Sequence, residues 1–184
     1  MRNLEAKFRL SDLQKASAAA LALGYTTTAS FGQRDTFFVV AHGKLKLREQ
    51  PPDAWLIHYE RDQKDGLMLS RYEIVTVADT VRTREMLARA LGVLAEVRKH
   101  RTLLMRRNVR LHLDCIKALG SFGEIEAVLG EGEGDASGGC ARAAVDELLD
   151  ALGVGAGELI EVSYFELMTQ RWTGARRGRS RRDA

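Results

Sequence analysis

The 184-residue chain has two cysteines, Cys115 and Cys140, and neither sits in a C-x-x-C pair or beside clustered histidines. That argues against a disulfide scaffold and points to a reducing compartment. Its four histidines, His42, His58, His100 and His112, fall on separate segments without ligand spacing, so they are expected as surface or core polar residues. No apolar run approaches the ~18 residues needed to span a bilayer, and the opening MRNLEAKF is too charged for a secretory leader. No internal repeat of solenoid length is present. These absences lead to the expectation of a cytoplasmic protein without a membrane partner. With 45% hydrophobic and 29% charged residues, the composition is that of one globular domain. At this length roughly 70% of the unfolded surface can be buried, so a metal would not be needed as a staple.

Net charge is small, +3, but unevenly placed. The last fourteen residues, RWTGARRGRSRRDA, hold six arginines and one aspartate, which leaves 22 basic and 24 acidic residues in the body. Residues 171–184 are therefore expected as a basic tail, disordered and solubilising. Weak nucleic-acid binding is the alternative reading, with Trp172 the one aromatic residue among the arginines. The expected domain is 1–170.

The body is rich in short alternating segments. Residues 2–9 place Leu4, Ala6 and Phe8 on one face and Asn3, Glu5 and Lys7 on the other, the period of a strand. Ser11 or Asp12 can cap a helix ending near Leu23 and Gly24. YTTTASF, DTFFVVA, GKLKLRE, AWLIHYER and MLSRYEIVTV read as successive strands. TVRTREMLARAL has helical spacing, and VLAEVRKHR, TLLMRR, VRLHLD and FGEIEAVL resume the strands. A loop, GEGEGDASGG, leads to a helix from about Cys140 to Leu152, and ELIEVSYFELM suits a terminal helix. Many strands with few helices predict an α+β fold, an antiparallel β-barrel with flanking helices.

The strands share one peculiarity: their second faces are charged. Lys44, Lys46 and Arg48 oppose Leu45 and Leu47; Tyr59 pairs with Arg61, Lys99 with Arg101, Arg110 with His112 and Asp114, and Glu124 with Glu126. Cys115, one residue from Asp114, is expected to be buried on the opposite side. On any one strand this describes a solvated face. In a closed barrel the same faces line a lumen, where mutual repulsion among the cations calls for a polyanion. Phosphates suit arginine and lysine, and carboxylates beside them imply hard divalent cations. The combined reading is a metal-bound polyphosphate.

The ordered set LEAKF, QRDTFF, GKLKLRE, LIHYERD, SRY, VRKHR, RLHLD, ALGSFGEIE and SYFEL resembles the CYTH superfamily, the triphosphate tunnel metalloenzymes that include class IV adenylyl cyclases and thiamine and inorganic triphosphatases. The resemblance spans about residues 3–168 and implies an antiparallel barrel forming a triphosphate tunnel. By this resemblance Glu5, Asp114, Glu124 and Glu126 hold Mg2+ or Mn2+. Lys46, Arg48, Arg61 and Arg110 bind phosphate, and Lys7, Lys99 and Arg101 are catalytic. Asn3 stands where the family has a glutamate, Met68 where it has a lysine, and Phe37 where a tyrosine is frequent. The implied activity is metal-dependent hydrolysis of a triphosphate such as tripolyphosphate, ATP or thiamine triphosphate, by a monomer or homodimer. Cyclisation of ATP to cyclic AMP and pyrophosphate, and polyphosphate or nucleotide binding without catalysis, are the alternatives.

Overall fold

In the computed structural model, residues 2–64, 67–117, 119–129 and 135–168 are described. The anticipated tail at 171–184 and residues 130–134, the first half of the acidic glycine-rich loop, lie outside them. Eight strands form the body: β1 (Arg2–Leu10), β2 (Thr26–Phe38), β3 (Lys44–Gln50), β4 (Asp53–Lys64), β5 (Leu67–Thr76), β6 (Val93–Arg106), β7 (Val109–Ile116) and β8 (Gly120–Leu129). They close into an antiparallel barrel in the order β1-β5-β4-β3-β2-β6-β7-β8. Two meanders, β2 to β5 and β6 to β8, join through the long β2–β6 pair, and β1 fills the remaining gap between β5 and β8.

Three α-helices flank the barrel: α1 (Leu13–Ala22), α2 (Thr80–Leu91) and α3 (Asp135–Leu152). Asp12 caps α1, its carboxylate accepting the Gln14 and Lys15 amides at 2.8 and 3.0 Å. Asp79 does the same for α2 through the Arg82 amide at 2.9 Å. None of the described helices is long and apolar enough to cross a membrane.

Several sequence expectations change in detail. YTTTASF and DTFFVVA are one strand, β2, and the two segments around Thr102 are one strand, β6. Across both joins the β2–β6 pairing runs without interruption, from Ser30 with Thr102 to Phe37 with Ala95, and its register shifts only near the ends, at Thr27/Ala29 and Phe37/Phe38. Helix α3 starts at Asp135, five residues before Cys140. The terminal segment is no continuous helix. It makes a 3-10 turn at Ala156–Glu158, a single bridge from Leu159 to Phe8, and a helical turn at 164–168. Its backbone is drawn into pairing with β1, where the Ile160 amide donates to the Lys7 carbonyl at 2.7 Å. Cys115 does alternate with Asp114 along β7, but it is exposed rather than buried.

Alternation along the strands yields two apolar clusters. Leu4, Ala6 and Phe8 of β1, Leu111 and Leu113 of β7 and Ile125 and Ala127 of β8 pack outward against Ala16 and Ala20 of α1 and Val145 and Leu148 of α3. A second cluster contains Phe37, Ile57, Tyr59, Val97 and Phe122, joined by Tyr164 and Phe165 of the terminal turn. Phe37, Ile57, Tyr59, Val97 and Tyr164 also line the lumen. Gly123 marks a tight point of the outer packing: it lies opposite Phe8, and a Cβ there would come within 2.2 Å of the Phe8 ring. Phe8 is wholly buried. Gly123→Ala should therefore destabilise the protein by about 1–3 kcal/mol through overpacking, measured by urea denaturation. A neutral result would show that Phe8 has room to move.

Candidate active site

Alternation along the strands and closure of the barrel bring the charged faces together. One cavity of about 340 Å³ is lined by Glu5 and Lys7 of β1, Lys46 and Arg48 of β3, Arg61 of β4, Lys99 and Arg101 of β6, Arg110 of β7, and Glu124 and Glu126 of β8. These are ten of the eleven residues singled out from sequence. The eleventh, Asp114, is on the same inner face of β7 as Arg110 but does not itself line the cavity: it is fully buried and held by Lys99 at 3.0 Å and by both arms of Arg101 at 2.6 Å.

The expectation of unrelieved repulsion among the cations needs correction. Carboxylates interleave with them, because burying an unpaired ion costs several kcal/mol. Lys7 meets Glu124 at 2.9 Å, Arg61 meets Glu5 at 2.7 Å, and Arg101 also reaches Glu124 at 2.7 Å. Arg110 stands 3.8 Å from Glu126. Arg48 grips Asp35 through two hydrogen bonds of 3.0 Å, with Lys46 at 3.4 Å and Gln33 donating at 3.0 Å.

Asp35 was not among the predicted site residues, although QRDTFF contains it. The available signal was period two: Gln33, Asp35 and Phe37 alternate with Arg34 and Thr36, and cross-strand pairing sets Asp35 opposite Arg48. Ser163 and Tyr164 of the terminal turn were also missed as cavity residues. The Tyr164 ring lies 4.4 Å from the Lys7 ammonium and 4.9 Å from that of Lys99. Sequence gives no sign of this, because the contact joins positions more than sixty residues apart.

The packing moves proton affinities. Burial, and then the neighbouring Arg48, push Lys46 down to about 7. Burial and Arg101 likewise lower Lys99. Burial raises Glu5, despite the opposing pull of Arg61. For Asp35 burial works in the raising direction but is overcome by Arg48 and Lys46, which hold the carboxyl well below the usual range. Asp114 is depressed in the same way by Arg101 and Lys99.

His112, expected as a surface or core polar residue, is buried. It lies opposite Glu124 in the β7–β8 pair, and one ligand atom each from His112, Glu124 and Glu126 fall within 4.8 Å of one another. Glu5 and Asp114, the other two carboxylates expected to hold metal, are not in this cluster. His112 Nδ1 and Asn3 Oδ1 are buried without a hydrogen-bond partner.

A closed eight-stranded barrel with a charged interior and flanking helices is the triphosphate tunnel fold. The comparisons carry this to a family: residues 1–155 match the CYTH domain, and the chain belongs to the CYTH domain family. Among solved structures, a Pyrococcus horikoshii OT3 protein superposes with a TM-score of 0.77 at 19% identity, over 90% of this chain and 98% of its own. A Vibrio parahaemolyticus protein described as a candidate adenylate cyclase gives 0.76 at 16% identity, over 91% and 97%. A Hippeastrum protein, described as a candidate adenylyl cyclase with a dominant triphosphatase activity, gives 0.65 at 16%, over 91% and 95%. At these identities the likeness is one of fold. No curated protein matches the sequence.

Asp114→Asn should cost about 3–5 kcal/mol of stability at neutral pH, since Arg101 and Lys99 lose their shared anion. A depressed carboxyl stabilises the fold above its unfolded pKa of about 3.9, and that contribution fades as pH falls toward the folded value. Urea unfolding of both proteins should thus show the full difference above about pH 5 and a narrowing one below about pH 4. A difference that does not vary with pH would contradict the ion-pair assignment.

Proposed function

We propose that the protein hydrolyses a triphosphate, inorganic or organic, bound with a divalent cation in the tunnel. The observation that carries the reading is the convergence of seven lysines and arginines on one cavity with carboxylates among them. Family membership supports it.

Phosphoryl transfer needs positioning and charge stabilisation more than covalent help from the protein. Arg48, Arg61 and Arg110 present guanidinium groups to phosphate oxygens, and Lys46 adds a point charge. Lys7, Lys99 and Arg101 sit deeper, each less than one-tenth exposed, where low dielectric strengthens their hold on charge developing at the transferred phosphoryl group. Asp114, bound to two of these three, acts here as their anchor.

The residues fit a divalent cation: Glu5, Glu124 and Glu126 face one cavity, and the unpartnered Asn3 oxygen lines it too. When bound, the metal supplies charge neutralisation and a water of lowered pKa. Its identity, Mg2+ or Mn2+ by the oxygen donors, belongs to the proposal.

A cyclase reading has its own support. Beside Arg61 and Ser70, the residues Ile57, Tyr72 and Ile74 put an apolar patch on the β4 and β5 side of the cavity, a surface for the organic group that cyclisation of ATP requires and that hydrolysis of an organic triphosphate would also use. Products separate the readings. The purified protein, given tripolyphosphate, ATP or thiamine triphosphate with Mg2+ or Mn2+, should release orthophosphate. Cyclic AMP with pyrophosphate would replace hydrolysis by cyclisation, and binding without turnover would replace both. Glu126→Gln is the cleanest metal-site variant, since its nearest cation is 3.8 Å away and little pairing is lost. It should lower turnover at least about a hundredfold while the melting temperature holds, a loss of the size seen when a transition-state electrostatic contact is removed. Unchanged turnover would remove Glu126 from the site.

A further inference from the structure

Glu124 has both oxygens engaged, by Lys7 at 2.9 Å and Arg101 at 2.7 Å. Glu126 has Arg110 only at 3.8 Å from Oε2, and His112 Nδ1 stands 3.6 Å from Oε1. The same nitrogen is 3.9 Å from Glu124 Oε2. Both separations exceed a hydrogen bond, and Nδ1 is buried without a partner. The residue is only 6% exposed, so water does not satisfy it from outside. In the tautomer that leaves the Nδ1 lone pair free, that nitrogen faces the weakly paired Glu126 carboxylate in a buried space, while Glu124 is already compensated by Lys7 and Arg101. A shared cation removes that conflict. Donors bound to one ion at about 2.1 Å stand roughly 3 to 4 Å apart; Nδ1 lies at that spacing from both carboxylates, and with the three ligand atoms within 4.8 Å the set has to draw in only slightly to share an ion.

We propose that His112 Nδ1 is a ligand of the lumenal metal, so that the site holds one nitrogen beside the oxygens of Glu124 and Glu126. It goes beyond the metal-dependent reading above and rests on it. Carboxylates suit Mg2+ and Mn2+ alike, whereas imidazole is a ligand of first-row transition metals, so the added nitrogen tilts the site away from Mg2+ and toward Mn2+ and the metals that follow it. Nothing in the spacing of the four histidines predicts this. The ligand set is assembled across the β7–β8 pair, where His112 is in register with Glu124 and Arg110 with Glu126.

The test is pulsed electron paramagnetic resonance of the full-length protein loaded with Mn2+, with and without tripolyphosphate. A nitrogen modulation should appear, and should change to the 15N pattern when only histidine is 15N-labelled. His112→Gln should abolish it, weaken Mn2+ binding at least about tenfold, and narrow the preference for Mn2+ over Mg2+. Bound Mn2+ without nitrogen modulation, or modulation that survives in His112→Gln, overturns the assignment. The labelled wild-type protein decides the matter even if the variant fails to fold. Release of orthophosphate is scored separately: if it persists while the nitrogen signal is absent, the ligand assignment falls and the triphosphatase reading stands. Failure to bind Mn2+ at all overturns the ligand assignment, and failure to bind either Mn2+ or Mg2+ overturns the metal dependence as well.

Discussion

Closing an amphipathic sheet into a barrel forces its charged faces inward, and ions taken out of water must find counterions. The interior of this protein satisfies that demand with its own side chains. Glu124 lies between Lys7 and Arg101, Asp35 between Arg48 and Lys46, and Asp114 between Lys99 and Arg101. Because several anions are shared by two cations, the lattice can give a cation to a polyanion without stranding a carboxylate. A cavity built from lysine and arginine alone would have paid heavily in self-repulsion; this one stays folded while its basic groups remain in reach of a ligand.

The apolar residues are divided to suit. Outward-facing Leu, Ile, Val and Phe of β1, β7 and β8 bury themselves under α1 and α3, which fixes the wall that carries Glu124, Glu126 and His112. The second cluster lies partly inside, with Tyr164 and Phe165 of the terminal turn packed against Phe122 and Phe37. Glu166 holds that turn by accepting from the Ser163 amide and from Lys44 at 2.6 and 3.0 Å. The C-terminal segment thus belongs to the tunnel.

The barrel and most of its lining were legible because period two is local. Residues 44–48 reveal by alternation alone that Lys46 and Arg48 share a face, and the ordered motifs supply the rest of the resemblance. Across-barrel relations were not legible. That Glu124 stands between Lys7 and His112 depends on the β1–β8 and β7–β8 registers, and no single strand encodes either. Asp35 was overlooked for the same reason, its meaning coming from Arg48 on the next strand. The terminal segment misled because its helical spacing competes with backbone pairing to Phe8, and the pairing prevails over its first half.

If a triphosphate takes over the lumenal cations, it should raise the proton affinity of Lys46, which burial and Arg48 depress to about 7. Calorimetric titration of tripolyphosphate at pH 8, in buffers of different ionisation enthalpy, measures this directly. The account predicts one molecule bound per chain with proton uptake, and a clear loss of that uptake in Lys46→Met. Binding with no proton uptake, or uptake undiminished in Lys46→Met, would contradict the claim that the anion enters the lattice of charges inside the barrel.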